Sequence, residues 1–348
     1  MNLEDEIAKV RNSINTDRLD MSFGEIISMY ERDEIIIDPE FQRLFRWSDY
    51  QQTRFIESLL LGIPIPPIFV AEDRDGKWEL VDGLQRLSTV LSFYGVLKNN
   101  PDKNFWKLCE GELVKSMQGM NYEGLPLKFQ LNIKRAVCRV EIIKWNSKFD
   151  MRYELFNRLN TGGSPLTDQE IRNCIFRGVS SDFNKFLERV AGEEDFIALI
   201  EPTEKQTLEL YLEELVLRFF SLFNNWKSVK TILSNHMTEF MREAVANNNF
   251  DYRMEELFLR IIRRLKPLGT EIFRFKNGIF STSLFDAITI SIGLNIDYYE
   301  KASIEDIRNR IDKLKSDEIF RKYTGAASNS STRVIKRIER ALEVMKVT

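Results

Sequence analysis

The stretch that decides the fold of the first half of the chain is Val81-Asp82-Gly83-Leu84-Gln85-Arg86. Residues 68–71 and 77–81, which precede it, have the composition of two strands joined as a hairpin. The apolar residues that follow it recur at the i, i+3, i+4 and i+7 spacing of an amphipathic helix: Leu87, Val90, Leu91 and Tyr94. The stretch is therefore predicted to turn a strand directly into a helix, with the glycine allowing the tight turn.

A junction of this kind is suited to binding an anion. The first N–H groups of a helix lack partners within it and lie at the positive end of its dipole, so the backbone of Gly83 and Leu84 can hold a phosphate. Arg86 adds a planar bidentate donor, Gln85 can donate to an oxygen or orient a water, and Asp82 can hold a metal ion. The alternative is a plain helix start at which Asp82 pairs with Arg86, and the residues alone leave both open. The site is not a Walker A loop, because the chain contains no GxxxxGK[ST] sequence.

Two further polar clusters are candidates for the same site. In residues 38–47, Arg43 and Arg46 alternate with aromatic residues just before a predicted helix, an arrangement that can clamp phosphates or stack on a base. For this cluster alone, an ordinary loop anchored by its aromatic residues is the favoured alternative. In residues 156–173, Asn160 precedes a glycine pair between two predicted helices, which suits either a ligand-facing loop or a simple connection.

The second half of the chain is predicted to be helical, because the strand signal fades after about residue 180. Helical periodicity covers residues 205–224, 229–246, 251–266, 281–297, 303–315 and 331–347. The last of these stretches carries four basic residues on one side: Arg333, Lys336, Arg337 and Arg340. Such a side could contact nucleic acid, but a solvated helix face is the favoured interpretation.

Composition excludes several classes of protein. A formal net charge of −3 and a pI near 5.7 argue against a DNA coat protein and restrict nucleic-acid contact to a local patch. His236 is the only histidine, so HNH, HD and HExxH sites cannot be assembled from this sequence. The three cysteines are far apart and predict neither a disulfide framework nor a zinc site. With no secretory signal and no apolar run of membrane-spanning length, the expected location is the cytoplasm.

Taken together, the three clusters resemble the N-terminal domain of GmrSD-type, modification-dependent restriction endonucleases, a prokaryotic family marked by a DGQQR motif. The resemblance covers about residues 20–180 and rests on strings in matching order: Phe41-Gln42-Arg43 with Arg46-Trp47, Ile56-Glu57-Ser58 with Gly62-Ile63-Pro64, Val81 to Leu87, and Phe156 to Phe176. The helical half also resembles the family at residues 214–219 and 323–328. Leu84 stands where the motif has its first glutamine, so any role of that side chain is absent here.

The resemblance implies an α+β fold: a small mixed-sheet, ParB/sulfiredoxin-like domain over residues 1–180, followed by an all-α domain over residues 181–348. It implies a nucleotide site whose core is Asp82, Gly83, Gln85 and Arg86. Its expected neighbours are Arg43, Arg46 and Asn160, with Glu57 supporting the site and sharing a metal ion with Asp82.

The function implied is hydrolysis of a nucleoside triphosphate, with Mg²⁺, by a subunit of a restriction or anti-phage defence system. Expected partners are the nucleotide, DNA and a nuclease or other effector chain, while the sequence leaves the oligomeric state open. Two alternatives remain. One is a non-enzymatic nucleotide- or DNA-binding regulator resembling an antitoxin, and the other is a ParB-like nuclease that cuts DNA directly through Asp82 and Glu57.

Overall fold

The structure is a computed structural model of the 348-residue chain. It describes residues 2–11, 15–37, 47–144, 155, 158, 166–177, 182–223, 225–247, 250–276, 278–325 and 327–347. The contacts divide the chain into two compact units, residues 1–166 and 167–348. The sequence placed this division after residue 180, but the helix over residues 168–177 packs into the second unit, where Asn173 Nδ2 donates to Glu213 Oε2 at 2.7 Å.

The first unit combines a sheet with helices. Its described helices are α1 (Leu3–Arg11), α2 (Phe23–Glu31), α3 (Asp49–Leu61), α4 (Leu84–Tyr94) and α5 (Leu127–Arg135). Its described strands are β1 (Thr16–Ser22), β2 (Ile35–Ile36), β3 (Ile68–Glu72), β4 (Trp78–Asp82) and β5 (Val137–Ile143). Short 3₁₀ turns lie at Pro101–Lys103 and Lys115–Met117.

The five strands form one mixed sheet in the order β1-β5-β3-β4-β2. The β1–β5 and β3–β4 pairs are antiparallel, whereas β5–β3 and β4–β2 are parallel. The predicted hairpin is confirmed as β3–β4. Its turn is held by Asp73 Oδ1, which accepts from the backbone N–H groups of Asp75 and Lys77 at 2.9 Å each. A small mixed sheet followed by a largely helical region confirms the predicted α+β class.

Strand β1 was not predicted from the sequence. Its residues are mostly exposed and charged, so it carries little of the apolar alternation that marks a half-buried strand. The strand forms because it pairs with β5, where facing residues of the two strands carry opposite charges. Asp20 accepts two hydrogen bonds from Arg139, at 2.8 and 3.1 Å, and Arg18 lies 3.6 Å from Glu141.

The core of the first unit places β4 and α4. Val70 of β3 and Val140 of β5 pack with Ile56 of α3 and with Leu87 and Leu91 of α4, all buried. Helix α3 begins with a capping box between Ser48 and Gln51 and ends at Gly62, which adopts the left-handed conformation at φ 71°. Two well-formed helices therefore anchor the loop between β4 and α4.

The second unit consists of helices in its described part. They are α6 (Asp168–Arg177), α7 (Asp182–Ala191), α8 (Glu194–Ile200), α9 (Glu204–Leu208), α10 (Tyr211–Phe223), α11 (Leu233–Asn247), α12 (Met254–Leu265), α13 (Thr282–Gly293), α14 (Ile296–Tyr299), α15 (Ile304–Ser316), α16 (Glu318–Lys322) and α17 (Ser331–Val344). The 3₁₀ turns are Trp226–Ser228, Lys266–Leu268 and Thr270–Phe273. The predicted helix over residues 205–224 is divided in two, since Leu210 adopts a positive φ of 56°.

The basic side of the last helix is only partly solvated. Lys336 is exposed, but Arg337 is fully buried and donates to Asp286 Oδ2 at 2.7 Å. The same carboxylate accepts two hydrogen bonds from the buried Arg218. Arg340 is partly exposed and pairs with Asp317 at 2.7 Å. Both interpretations of this helix face are therefore wrong for Arg337, because a long-range partner neutralises a charge that helical periodicity assigns to the outside.

Candidate functional site

The strand-to-helix junction predicted at Val81–Arg86 is present. Strand β4 ends at Asp82 and α4 begins at Leu84, with Gly83 between them at φ 100° and ψ 13°. A Cβ atom on Gly83 would lie 2.5 Å from Ile68 Cγ2 and 3.3 Å from Arg86 Nη2. The position therefore requires glycine for two reasons, the backbone conformation and the close approach of β3.

The start of α4 has the features of an anion site. The N-cap residue is Gly83, which has no side chain that could accept from the first N–H groups of the helix. These groups lie at the positive end of the helix dipole, where a phosphate is favoured. Leu84 is half-buried and contributes through its backbone, as its apolar side chain predicts.

Asp82 and Arg86 form the ion pair that the plain-helix alternative predicted. Arg86 Nη2 lies 2.8 Å from Asp82 Oδ2, and the side chains are 12% and 32% exposed, respectively. Among the described residues, neither Asp82 Oδ1 nor Arg86 Nε and Nη1 has a further hydrogen-bond partner. The pair thus positions the guanidinium and leaves donors for a ligand, so the ion pair and an anion site are compatible.

A buried thiol lies close to the same arginine. Cys138 is fully buried, and this burial raises the pKa of its thiol to about 11, against the smaller opposing effect of the Arg86 charge. The thiol is therefore neutral at physiological pH and does not compete with an anionic ligand for Arg86.

Gln85 connects the junction to the segment before α3. Its Oε1 accepts from the backbone N–H of Trp47 at 3.1 Å, while Gln52 Nε2 donates to the Trp47 carbonyl at 3.0 Å. The Trp47 ring packs edge-on against Phe55, with centroids 5.6 Å apart. Trp47 is the last residue of the second sequence cluster, so Gln85 anchors the end of that cluster; Arg43 and Arg46 themselves lie outside the described residues.

Glu57 has a structural role that the sequence did not reveal. It is buried, and its Oε1 accepts from the backbone N–H groups of Leu113 and Val114 at 2.9 and 2.7 Å. One turn earlier on α3, Thr53 Oγ1 accepts from Cys109 N at 2.9 Å. Glu57 therefore ties the irregular segment after α4 to α3, and a role as metal ligand beside Asp82 stays a prediction.

The third cluster is described only in part, and Asn160 lies outside the described residues. Helix α6 begins with a capping box, in which Glu170 Oε2 accepts from Thr167 N at 2.6 Å. Arg172 is fully buried and donates to Gln169 Oε1 at 2.9 Å and to Ser234 Oγ at 3.2 Å. The described end of this cluster thus stabilises the helical unit.

The remaining candidates are simple to place. His236 is half-buried, with Nε2 3.0 Å from the Ser221 carbonyl, which fits the predicted boundary position. No three His, Cys, Asp or Glu residues of the described chain cluster as a metal site. A metal ion at Asp82 would take its other ligands from nucleotide phosphates and water, as Mg²⁺ commonly does.

Within the described ranges, no helix has the length and apolarity of a membrane span.

The fold and the junction define a class, a small α+β domain with an uncapped helix start behind an aspartate–glycine turn. Comparison with known families finds one similarity: residues 23–177 match the model of the GmrSD restriction endonuclease, N-terminal domain. This match confirms the predicted resemblance and indicates a component of a restriction or defence system. The match includes the junction, Glu57 and helix α6.

No curated protein and no solved structure matches the chain significantly. The finer likeness to ParB and sulfiredoxin therefore stays a prediction.

Proposed function

We propose that the junction at Asp82–Arg86 binds the phosphates of a nucleoside triphosphate and that the chain hydrolyses it. The observation that carries the proposal is the combination, at one helix start, of an uncapped first turn with a positioned guanidinium and a half-exposed carboxylate. Hydrolysis of a phosphoanhydride depends mainly on positioning and charge stabilisation, so a site with few side chains is chemically sufficient.

The phosphates would lie against the first turn of α4. Backbone N–H groups at Gly83 and Leu84 would hold one phosphate, and the unpaired Nε and Nη1 of Arg86 would hold its neighbour. The ion pair with Asp82 keeps the guanidinium oriented before the ligand arrives, which lowers the ordering cost of binding. By resemblance to the family, Arg43, Arg46 and Asn160 would complete the pocket.

Mg²⁺ fits the donors that are present. Asp82 offers Oδ1, an oxygen without a hydrogen bond in the described part of the chain, beside the place proposed for the phosphates. When bound, Mg²⁺ would neutralise charge on the phosphates. Gln85 accepts a hydrogen bond from the backbone N–H of Trp47 with its Oε1, so its proposed contribution is to position the segment before α3 next to the phosphates.

The proposed role in the cell is that of a nucleotide-dependent sensor subunit acting on DNA in the cytoplasm. With one histidine in 348 residues, an HNH site cannot be built from this sequence, so DNA cleavage would require a partner nuclease or effector chain. The helical unit would respond to the nucleotide state and contact that partner or DNA.

Two competing functions have unequal support. A non-enzymatic phosphate-binding regulator is favoured by the Asp82–Arg86 pair, since the two charges already satisfy one another. A nuclease using Asp82 and Glu57 has less support, because Oε1 of Glu57 already accepts two backbone hydrogen bonds.

The test is phosphate release from ATP, GTP, CTP and UTP with Mg²⁺, with and without DNA, for wild type, Arg86→Ala and Asp82→Asn. Arg310→Ala is the matched control: it removes an i,i+4 pair with Asp306 at 2.9 Å, with exposures of 18% and 36%, in the other unit. Loss of turnover in the two junction variants alone would support hydrolysis there. Nucleotide binding without turnover would support the regulator instead, and wild type that binds no nucleotide would refute the phosphate site.

A further inference from the structure

The helical unit contains a cleft of about 390 Å³ lined by Phe275, Lys276, Arg321 and Thr324. Phe275 and Lys276 lie in a turn whose ends, Arg274 and Phe280, pair as an isolated bridge. Arg321 belongs to the short helix α16, and Thr324 follows that helix. The volume lies within the ~300–1,000 Å³ typical of ligand clefts.

Two positive charges in this cleft are not neutralised. The side chains of Lys276 and Arg321 are exposed, and within the described part of the chain neither forms an ion pair or hydrogen bond. Other arginines of the same unit are paired, as Arg260 is with Glu300 at 2.7 Å and Arg340 with Asp317 at 2.7 Å. Among the described residues that line the cleft there is no carboxylate, so its charge is available to a ligand.

The chemistry of the lining selects an anion. The Thr324 hydroxyl already donates to the Arg321 carbonyl at 2.9 Å, which leaves a guanidinium and an ammonium as the groups that face a ligand. Both are donors only, and the planar guanidinium suits the oxygens of a phosphate. The ring of Phe275 adds an apolar surface of the kind on which a nucleobase stacks.

The surface around the cleft extends the positive charge. Lys322 follows Arg321 and is exposed, and its carbonyl accepts from Arg333 Nη1 at 2.7 Å, which brings α17 alongside. Lys336, one turn further along α17, places its ammonium 5.9 Å from the Tyr323 ring centroid. Several cations beside the cleft favour a polyanion over a single free phosphate.

We propose that the cleft of Lys276, Arg321 and Thr324 binds a backbone phosphate of a nucleic acid. This site lies in the helical unit and does not depend on nucleotide binding at the β4–α4 junction. It does not use Arg337 or Arg340 of the predicted basic side of α17, because Arg337 is buried and Arg340 is paired with Asp317.

The experiment measures binding of a fluorescent 20-base-pair duplex by anisotropy, over a range of NaCl concentrations, in an Arg86→Ala background that disables the nucleotide site. Lys276→Gln/Arg321→Gln is compared with a control of equal charge change, Lys185→Gln/Lys301→Gln, which alters two exposed lysines elsewhere in the same unit. Each phosphate contact contributes about 0.9 to the slope of log affinity against log salt. The cleft variant should therefore lose about 0.9–1.8 of slope, or about 8- to 60-fold in affinity near 0.1 M salt.

A second arm separates the sources of phosphate by calorimetry with pyrophosphate on the same proteins, all checked for unchanged circular dichroism. Loss of DNA affinity and slope in the cleft variant alone would support the proposal. Unchanged DNA binding with lost pyrophosphate binding would keep the phosphate chemistry but overturn the nucleic-acid assignment. If both ligands bind the cleft variant as they bind the control, or if the parent protein binds neither, the proposal is refuted.

Discussion

Replacement of Gly83 by alanine should destabilise the first unit by an amount that the geometry of the junction determines. The backbone there adopts φ 100°, and an added Cβ would lie 2.5 Å from Ile68 Cγ2. Ile68 is 1% exposed and belongs to β3, so it has little room to move. The substitution therefore adds a steric clash to an unfavourable backbone conformation.

The two contributions can be separated with a second glycine. Gly76, in the β3–β4 turn, also has a positive φ of 80°, but a Cβ there would meet nothing within 4 Å. Gly76→Ala should cost only the backbone strain of about 1–2 kcal/mol. Gly83→Ala should cost the same strain plus about 1–3 kcal/mol for overpacking, or about 2–5 kcal/mol in all.

The assay is equilibrium unfolding in urea, followed by tryptophan fluorescence. Four of the five tryptophans lie within residues 1–166, so the signal reports mainly on the first unit. The free energies of unfolding are compared at equal m-values, which shows that the two variants unfold from comparable states. If Gly83→Ala destabilises no more than Gly76→Ala, then β3 does not press on the junction and the argument for a glycine-specific close approach is wrong.

Three further predictions concern buried and paired charges. Asp286→Asn should lower the free energy of unfolding of the helical unit by about 3–5 kcal/mol, because it leaves two buried guanidinium groups without their counter-ion. Asp251→Asn, at an exposed pair, should have a much smaller effect in the same denaturation measurement. Glu57→Ala should leave two backbone N–H groups unpaired and accelerate their hydrogen exchange; unchanged exchange together with weakened Mg²⁺ binding would instead support the metal-ligand role. Hydrogen bonds from Arg340 lower the pKa of the Asp317 carboxyl in the folded protein below its ordinary value of 3.8. These hydrogen bonds therefore stabilise the fold fully above pH 3.8, and the stabilisation is lost as the pH falls through the lowered pKa of the folded state. Asp317→Asn should therefore lose less stability than wild type in thermal melts as the pH falls below about 4, and parallel losses would contradict this sign.

Local sequence signals predicted the part of the fold that surrounds the junction. The turn residues between β3 and β4, the capping box at Ser48 and the heptad-like spacing after Gly83 each depend on neighbours within a few residues. Such signals survive in the folded protein because packing agrees with them. The Asp82–Arg86 pair was foreseen for the same reason, since the two residues are one helical turn apart.

The features that were missed are those whose partners are distant in the chain. Strand β1 depends on charged partners more than 100 residues away, as in the bond between Asp20 and Arg139. The backbone N–H groups that donate to Glu57 follow it by more than 50 residues, in a segment with no regular pattern. No local periodicity reports such a contact, because periodicity records only which side of an element is apolar.

By itself, the sequence determined the class of the fold, the strand–glycine–helix junction and the candidate phosphate site, since all three follow from residues adjacent in the chain. Only the tertiary structure decided which charges remain available for function. Arg86 keeps free donors, whereas Arg337, on an apparently basic helix, is buried against Asp286. The charges of Lys276 and Arg321 are not neutralised in their cleft, because its described lining contains no carboxylate. The physical reason is that a charge is neutralised by whatever the fold places within a few ångströms of it, and sequence spacing does not contain those distances.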